Sequence, residues 1–372
     1  MYAYVFRRLI LIIPTLLGIM LINFAIVQFV PGGPVEQMIS QITGENISVT
    51  ARVGGDAGQE AAGGSIQKRM PSNNVGLNQR YRGAQGLPAE LIADIERQFG
   101  MDKPPFERFF LMIRNYISFD FGDSFFQNKS VVNLVIEKMP VSISLGLWTT
   151  LLVYLISIPL GISKATRDGS KFDVWTSSIV IFGNAVPGFL FAILLIVIFS
   201  GGRYLDWFPL RGLTSQGFDD LTFAEQVFDY FWHLTLPLIS MVIGGFAGLT
   251  MLTKNSFIEE INKQYVITAR AKGLTETRVL YGHVFRNAML IVIAGFPSAF
   301  VGILFTGAML TEIIFSLDGL GLLGFEAALK RDYPVMFGTL FFFTLVGLLL
   351  GIIGDVMYHL IDPRIDFESR EL

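Results

Sequence analysis

No cysteine occurs in these 372 residues, which excludes disulfides, thiolate metal sites and a cysteine nucleophile. Charge is scarce: only 16% of residues are Asp, Glu, Lys or Arg, against about 25% in an ordinary soluble domain. The net charge of −3 sums over more than one aqueous face and says little about partners. The chain has no G-x-x-x-x-G-K-[ST] segment, so it does not itself cradle nucleotide phosphates. It also lacks G-x-S-x-G and H-E-x-x-H, signatures of serine hydrolases and zinc peptidases.

Apolar residues are abundant instead, at 52% of the chain, with 34 Phe. Six charge-free runs cover 9–30, 141–163, 174–202, 231–253, 287–311 and 334–354. About 20 apolar residues span the ~30 Å hydrocarbon core of a bilayer, so each run qualifies. The expected fold class is an all-α integral membrane protein with six transmembrane helices, the sixth extending over 334–361. Arg7 and Arg8 before the first run suggest a signal peptide. The apolar stretch is too long for one, and no small-x-small cleavage site follows. Segment 1–30 is therefore expected to stay as the first helix. Intramembrane charges are costly and are kept for proton or ion relays. The runs contain none, which argues against a gradient-driven secondary transporter.

Lys and Arg favour cytoplasmic loops. Arg7 and Arg8, then Lys164, Arg167 and Lys171, then the connection 254–286, then Arg364 and Arg370 mark one face. The connection after the third run instead carries Asp206, Asp219, Asp220, Glu225 and Asp229. Both termini are thus expected in the cytoplasm, and loop 31–140 outside. Within that loop, 44–86 is rich in Gly, Gln, Asn and Ser and reads as a flexible insert. Beyond it, Phe106, Phe109, Phe110, Ile113 and Ile117 follow helical spacing, as amphipathic helices on the external membrane face would. The membrane core occupies 141–372. Pro14, Pro159, Pro187, Pro237 and Pro297 are expected to kink their helices.

Connection 254–286 is basic and helix-compatible. Residues 257–272 read as one helix continuing the fourth span. Gly273 fits a C′ position, Thr275 can N-cap the next helix, and Glu276 falls in its first turn. The expected unit is helix, tight turn, helix, leading into the fifth span. On these residues alone it is either a solvated loop that sets topology or a handle for a cytoplasmic partner.

The stretch Tyr265-Val266-Ile267-Thr268-Ala269-Arg270-Ala271-Lys272-Gly273-Leu274, followed by His283, Arg286, Asn287 and Ala288, resembles the coupling loop of peptide-type ABC importer permeases, the OppB/DppB family. The likeness runs along the chain in order. It includes Arg7-Arg8-Leu9 with Ile13-Pro14-Thr15, and Phe119-Asp120-Phe121-Gly122-Asp123-Ser124. It continues through Thr311-Glu312-Ile313-Ile314-Phe315-Ser316, Arg331-Asp332-Tyr333-Pro334 and Asp362-Pro363-Arg364. The Gly-rich insert, Leu249 to Phe257 and Arg364 to Glu368 resemble a branch that imports oligopeptides and microcin C.

The resemblance implies a type I permease fold and a non-enzymatic subunit of the bacterial inner membrane that forms half of a peptide pathway. Implied partners are a second permease, a fused twin ATPase holding ATP and Mg²⁺, an external peptide-binding protein and membrane lipid. No nucleic acid and no cofactor in this chain are implied. Thr268, Ala269, Arg270, Ala271, Lys272, Gly273 and Leu274 would contact the ATPase. One departure is Ile267, which stands where ABC importers commonly begin this motif with an acid, so an ion pair to the ATPase from that position is not expected. Nickel, glutathione and oligosaccharides are alternative cargoes of similar machinery.

Polar groups in or near the runs are path or gate candidates: Asn23, Gln28, Asn184 and Ser298, with Glu312 and Asp318 at the external end of the fifth. Residues 312–324 are expected to dip back as part of a gate. Asp355 and His359, one turn apart, read as a hydrated interfacial pair rather than metal ligands.

Overall fold

The computed structural model describes residues 2–29, 35, 38–39, 88–98, 103–201, 204–302 and 309–361. The insert 44–86, the Pro31–Pro34 stop and the segment from residue 362 onward lie outside them. Among the described residues the chain is helical and has no named strand. The helices are α1 (Tyr2–Phe29), α2 (Ala89–Gln98), α3 (Pro105–Ile117), α4 (Val131–Thr166), α5 (Lys171–Ala185), α6 (Gly188–Phe199) and α7 (Phe223–Ile261). Then follow α8 (Gln264–Ala271), α9 (Glu276–Val279), a π-turn (Leu280–Val284), α10 (Phe285–Gly302), α11 (Met309–Ile314), α12 (Leu320–Lys330) and α13 (Tyr333–Ile361).

Among the described residues, five helical stretches are long and apolar enough to cross a membrane, or six if the bent pair α5–α6 counts as one. That pair corrects the third expected span. Run 174–202 is not one helix but two, set at 89°. Val186, at φ −87° and ψ 120°, precedes Pro187, whose ring disfavours a helical residue before it. The other prolines expected to kink, Pro14, Pro159, Pro237 and Pro297, lie inside helices. Helix α4 also begins ahead of run 141–163 and passes through Pro140. At 39 residues, α7 is about 58 Å long at 1.5 Å per residue, nearly twice the ~30 Å apolar layer.

The chain divides into two compact units. One comprises 1–12, 135–323 and 343–372. Its cores gather Phe257, Val266, Val279, Ala288 and Val292 in one cluster and Leu145, Leu195, Leu234, Phe315 and Leu317 in another. In the same unit Asp355 accepts from Tyr4 Oη at 3.2 Å and pairs with Arg8. The second unit comprises 13–134 and 324–342. There the Tyr116 ring meets Phe121 and Phe341 edge-on. Ser124 Oγ donates to the buried Asp332 carboxylate at 2.5 Å. Burial raises that carboxyl above its ordinary range against the pull of its hydrogen bonds.

Candidate coupling unit and cleft

The basic connection is two helices, not one, ahead of its turn. Helix α7 stops at Ile261, Asn262 caps it, and Lys263 is extended at φ −76° and ψ 151°. The predicted single helix over 257–272 is therefore broken at 262–263. Glu260 braces the break: its carboxylate accepts from Tyr265 Oη at 2.7 Å and from Lys263 Nζ at 2.5 Å. Glu260 holds the Lys263 ammonium above its usual range.

Helix α8 is two-faced. Val266 and Ala269 are buried in the cluster that contains Phe257 of α7 and Ala288, Met289 and Val292 of α10. Ile267, Thr268, Arg270, Ala271 and Lys272 face outward. Of the seven residues expected to contact a partner, Ala269 is buried and Leu274 half-buried, while the other five are exposed. Ile267 is 51% exposed and Tyr281 57%, so a basic surface carries two large apolar groups. Nothing in the sequence marked Tyr281; its exposed place within the π-turn follows only from the three-dimensional path.

The turn is built as expected at Gly273, which has φ +82°. The Gly273 N–H donates to Arg270 O (2.9 Å), and the Leu274 N–H to Ala269 O (3.4 Å). This is the paired 5→2 and 6→1 closure that requires a left-handed residue at C′. Thr275 occupies the N-cap position but makes no side-chain cap bond. Instead, Arg270 grips Glu276 with two parallel bonds, Nε to Oε1 at 2.9 Å and Nη2 to Oε2 at 3.1 Å. Ser256 Oγ donates to Ala288 O at 2.6 Å, tying α7 to α10 behind the unit.

Further along the same unit, a cleft of about 560 Å³ opens among α4, α6, α7, α10 and α11. Thr149, Thr150, Ser240 and Thr311 supply hydroxyls, Tyr154 a phenol, and Gly188, Gly244, Gly245 and Gly302 bare backbone. Among the described residues, no acid or base lines it. That volume lies within the 300–1,000 Å³ range of ligand sites.

The path candidates chosen from the sequence fare unevenly. Asn184 is exposed, and Asn23 is buried with its amide nitrogen unpartnered among the described residues. The side chains of Gln28 and Ser298 lie outside the described set. Glu312 follows the cleft residue Thr311 and is fully buried. It accepts from Ser142 Oγ and from the Leu322 N–H, each at 2.8 Å. Ser142 Oγ in turn accepts from the Leu320 N–H at 2.8 Å. Glu312 is thus the anchor of a folded-back segment, and Asp318 pairs with Lys138 on the same segment's tip.

Ser215, Asp229 and His233 also converge, but not as a hydrolase would arrange them. His233 Nδ1 faces Gly212 O at 3.0 Å, so that nitrogen carries a proton, and Nε2 lies 3.0 Å from Ser215 Oγ. A hydrolytic triad needs the aspartate on Nδ1. Here Asp229 instead accepts from Ser215 Oγ (2.5 Å) and N–H (2.8 Å), which makes the group a loop clasp.

Residues 157–367 match the family described as binding-protein-dependent transport system inner membrane component. Over 372 residues, all of both chains, the sequence is 59% identical to the "Peptidoglycan transport system permease protein YejB" of Agrobacterium fabrum. It is 57% identical, again over both full lengths, to the "Inner membrane ABC transporter permease protein YejB" of Escherichia coli O157:H7. Identity to the "Oligopeptide transport system permease protein AppB" of Bacillus subtilis is 31%, covering 99% of this chain and all of that one.

Proposed function

The chain belongs to the binding-protein-dependent transport system inner membrane component family, and from that premise we propose that it is half of an ATP-driven import pathway for oligopeptides. The names of its relatives, oligopeptide and peptidoglycan transport permeases, support cargo with a peptide part. The uncharged cleft suits it: hydroxyls and bare backbone can meet varied peptides, while selection is left to a binding protein. The other partners are a second permease of the YejE type, a twin ATPase of the YejF type that holds ATP and Mg²⁺, and an external binding protein of the YejA type. Both termini and the α8–α9 unit face the cytoplasm of a bacterium, and loop 31–140 faces outward.

One observation carries this reading. Helix α8 buries Val266 and Ala269 in the core that holds α7 and α10 together, and presents Ile267, Thr268 and Lys272 outward. Closure of the ATPase on that outer face would push both long helices as one body. The cleft would then open outward beneath the loaded binding protein, and hydrolysis would reset it.

Replacing Gly273 with Val tests the mechanism. A β-branched residue at φ +82° is strained, so the turn should deform while the spans still insert. ATP hydrolysis should then run without uptake; normal uptake would refute the reading. Competition of labelled peptides against unlabelled peptides, peptidoglycan fragments and Ni²⁺ identifies the cargo.

A further inference from the structure

Lys164 on α4 and Lys254 on α7 share the carboxylate of Asp173 in the first turn of α5. The Lys164 side chain is fully buried, with its ammonium 2.9 Å from Asp173 Oδ1. It also donates to Asp173 O, Thr176 Oγ1 and Ser177 Oγ at 3.0, 2.9 and 2.6 Å. Lys254 Nζ donates to Asp173 Oδ2 at 2.7 Å and lies 2.8 Å from Asp168 Oδ1. The turn between α4 and α5 closes on the same acid: the Gly169 N–H donates to Asp173 Oδ2, and the Asp173 N–H to Ser170 Oγ, both at 3.2 Å.

The cluster ends a seam. A Cβ on Gly245 of α7 would lie 3.1 Å from Val153 Cγ2 of α4. Ser157 Oγ donates to Phe246 O at 3.0 Å. A Cβ on Gly161 would fall 2.6 Å from Thr253 Cβ, so the two helices touch there with no room to spare. Apolar helix faces can shear past one another by small slides. A hydrogen-bonded ion cluster whose Lys164 and Asp173 are buried cannot, because displacement leaves buried charges unpaired. Lys254 stands seven residues, about two turns, before the end of α7, and α8 begins at Gln264.

We propose that this cluster makes α4 and α5 move with α7 when the α8–α9 unit is pushed, so that Lys164, Asp173 and Lys254 are positioning residues for coupling. The proposal rests on the reading of Thr268–Leu274 as the ATPase contact. It assigns the ion cluster a role in transmission: the push reaches four helices rather than two, and both walls that α4 and α7 give the cleft shift together.

The test uses the whole transporter in proteoliposomes, with binding protein and a tritiated mixture of tri- to pentapeptides, and reads peptide delivered per ATP hydrolysed. Lys254→Met should lower that ratio at least fivefold. Lys254→Arg keeps a cation within reach of both carboxylates and should restore it to within twofold. An unchanged ratio in Lys254→Met overturns the proposal. If that variant is not recovered from membranes, Asp168→Asn, altering the exposed partner, is read instead: a twofold fall supports the proposal and an unchanged ratio sinks it. Gly273→Val runs in parallel. Normal coupling there defeats the underlying reading, whereas lost coupling there beside a normal Lys254→Met defeats the cluster alone.

Discussion

A side chain on residue 319 would put its Cβ 2.3 Å from Oε1 of Glu312. The bare Gly319 is what lets the buried carboxylate reach Ser142 and the Leu322 N–H. Gly319→Ala should therefore expel Glu312 or unfold the segment it anchors. The expected cost is about 2–4 kcal/mol, the range for disrupting a buried hydrogen-bonded network. Thermal unfolding in detergent measures it, with Gly324→Ala, whose site has open space, as the tolerated control.

Glu312 also sets a pH dependence of unusual sign. Burial raises its pKa above the ordinary 4.5, outweighing the hydrogen bonds that favour the anion. A carboxyl raised in the folded state binds more protons there than when unfolded. Its contribution to stability is thus full below 4.5 and is lost as pH rises through the folded value. Glu312→Gln removes that slope. The unfolding temperature of the native chain relative to the variant should increase as pH falls from 7 to 5; a flat difference would contradict the assignment.

How far the sequence could be read depends on range. Hydrophobic length is a property of consecutive residues, so the apolar runs at 9–30, 231–253 and 334–354 correspond to α1, α7 and α13. The Gly273 turn was legible for the same reason, since its signals lie within six residues. The 89° break at Val186–Pro187 sits in an unbroken apolar run, where hydropathy is blind and only the proline hinted at it. Networks joining distant residues, such as Ser142 with Glu312 or Lys254 with Asp173, left no local pattern. The cleft likewise was missed because its polarity is hydroxyl and backbone, whereas the amide residues Asn23 and Asn184 stood out in the sequence.

The exposed apolar pair Ile267 and Tyr281 on the proposed docking surface gives a further prediction. A few residues at the centre of an interface, Tyr prominent among them, each contribute about 2 kcal/mol or more. Ile267→Asp and Tyr281→Asp should each reduce co-purification of the ATPase at least tenfold without changing the amount of permease in the membrane. Lys272→Ala, which removes only an exposed charge, should cost threefold or less. Retention of the ATPase by both aspartate variants would move the docking surface elsewhere.

The clasp at Ser215, Asp229 and His233 holds the connection ahead of α7. His233 is buried and bridges Gly212 O and Ser215 Oγ through its two nitrogens. Asp229 fixes Ser215 by both its N–H and its hydroxyl. His233→Ala removes both bridging bonds and leaves the Gly212 carbonyl without that partner, a loss of about 1–3 kcal/mol. Asp229→Asn keeps the shape and one acceptor, so it should cost less, about 1 kcal/mol. The loss falls on 204–222 rather than on the spans, so it should appear as faster limited proteolysis of that connection with the helical signal unchanged. Equal cleavage rates in His233→Ala and the native chain would show that the aromatic stack of Phe208 on Trp232, 4.3 Å apart, holds the connection by itself.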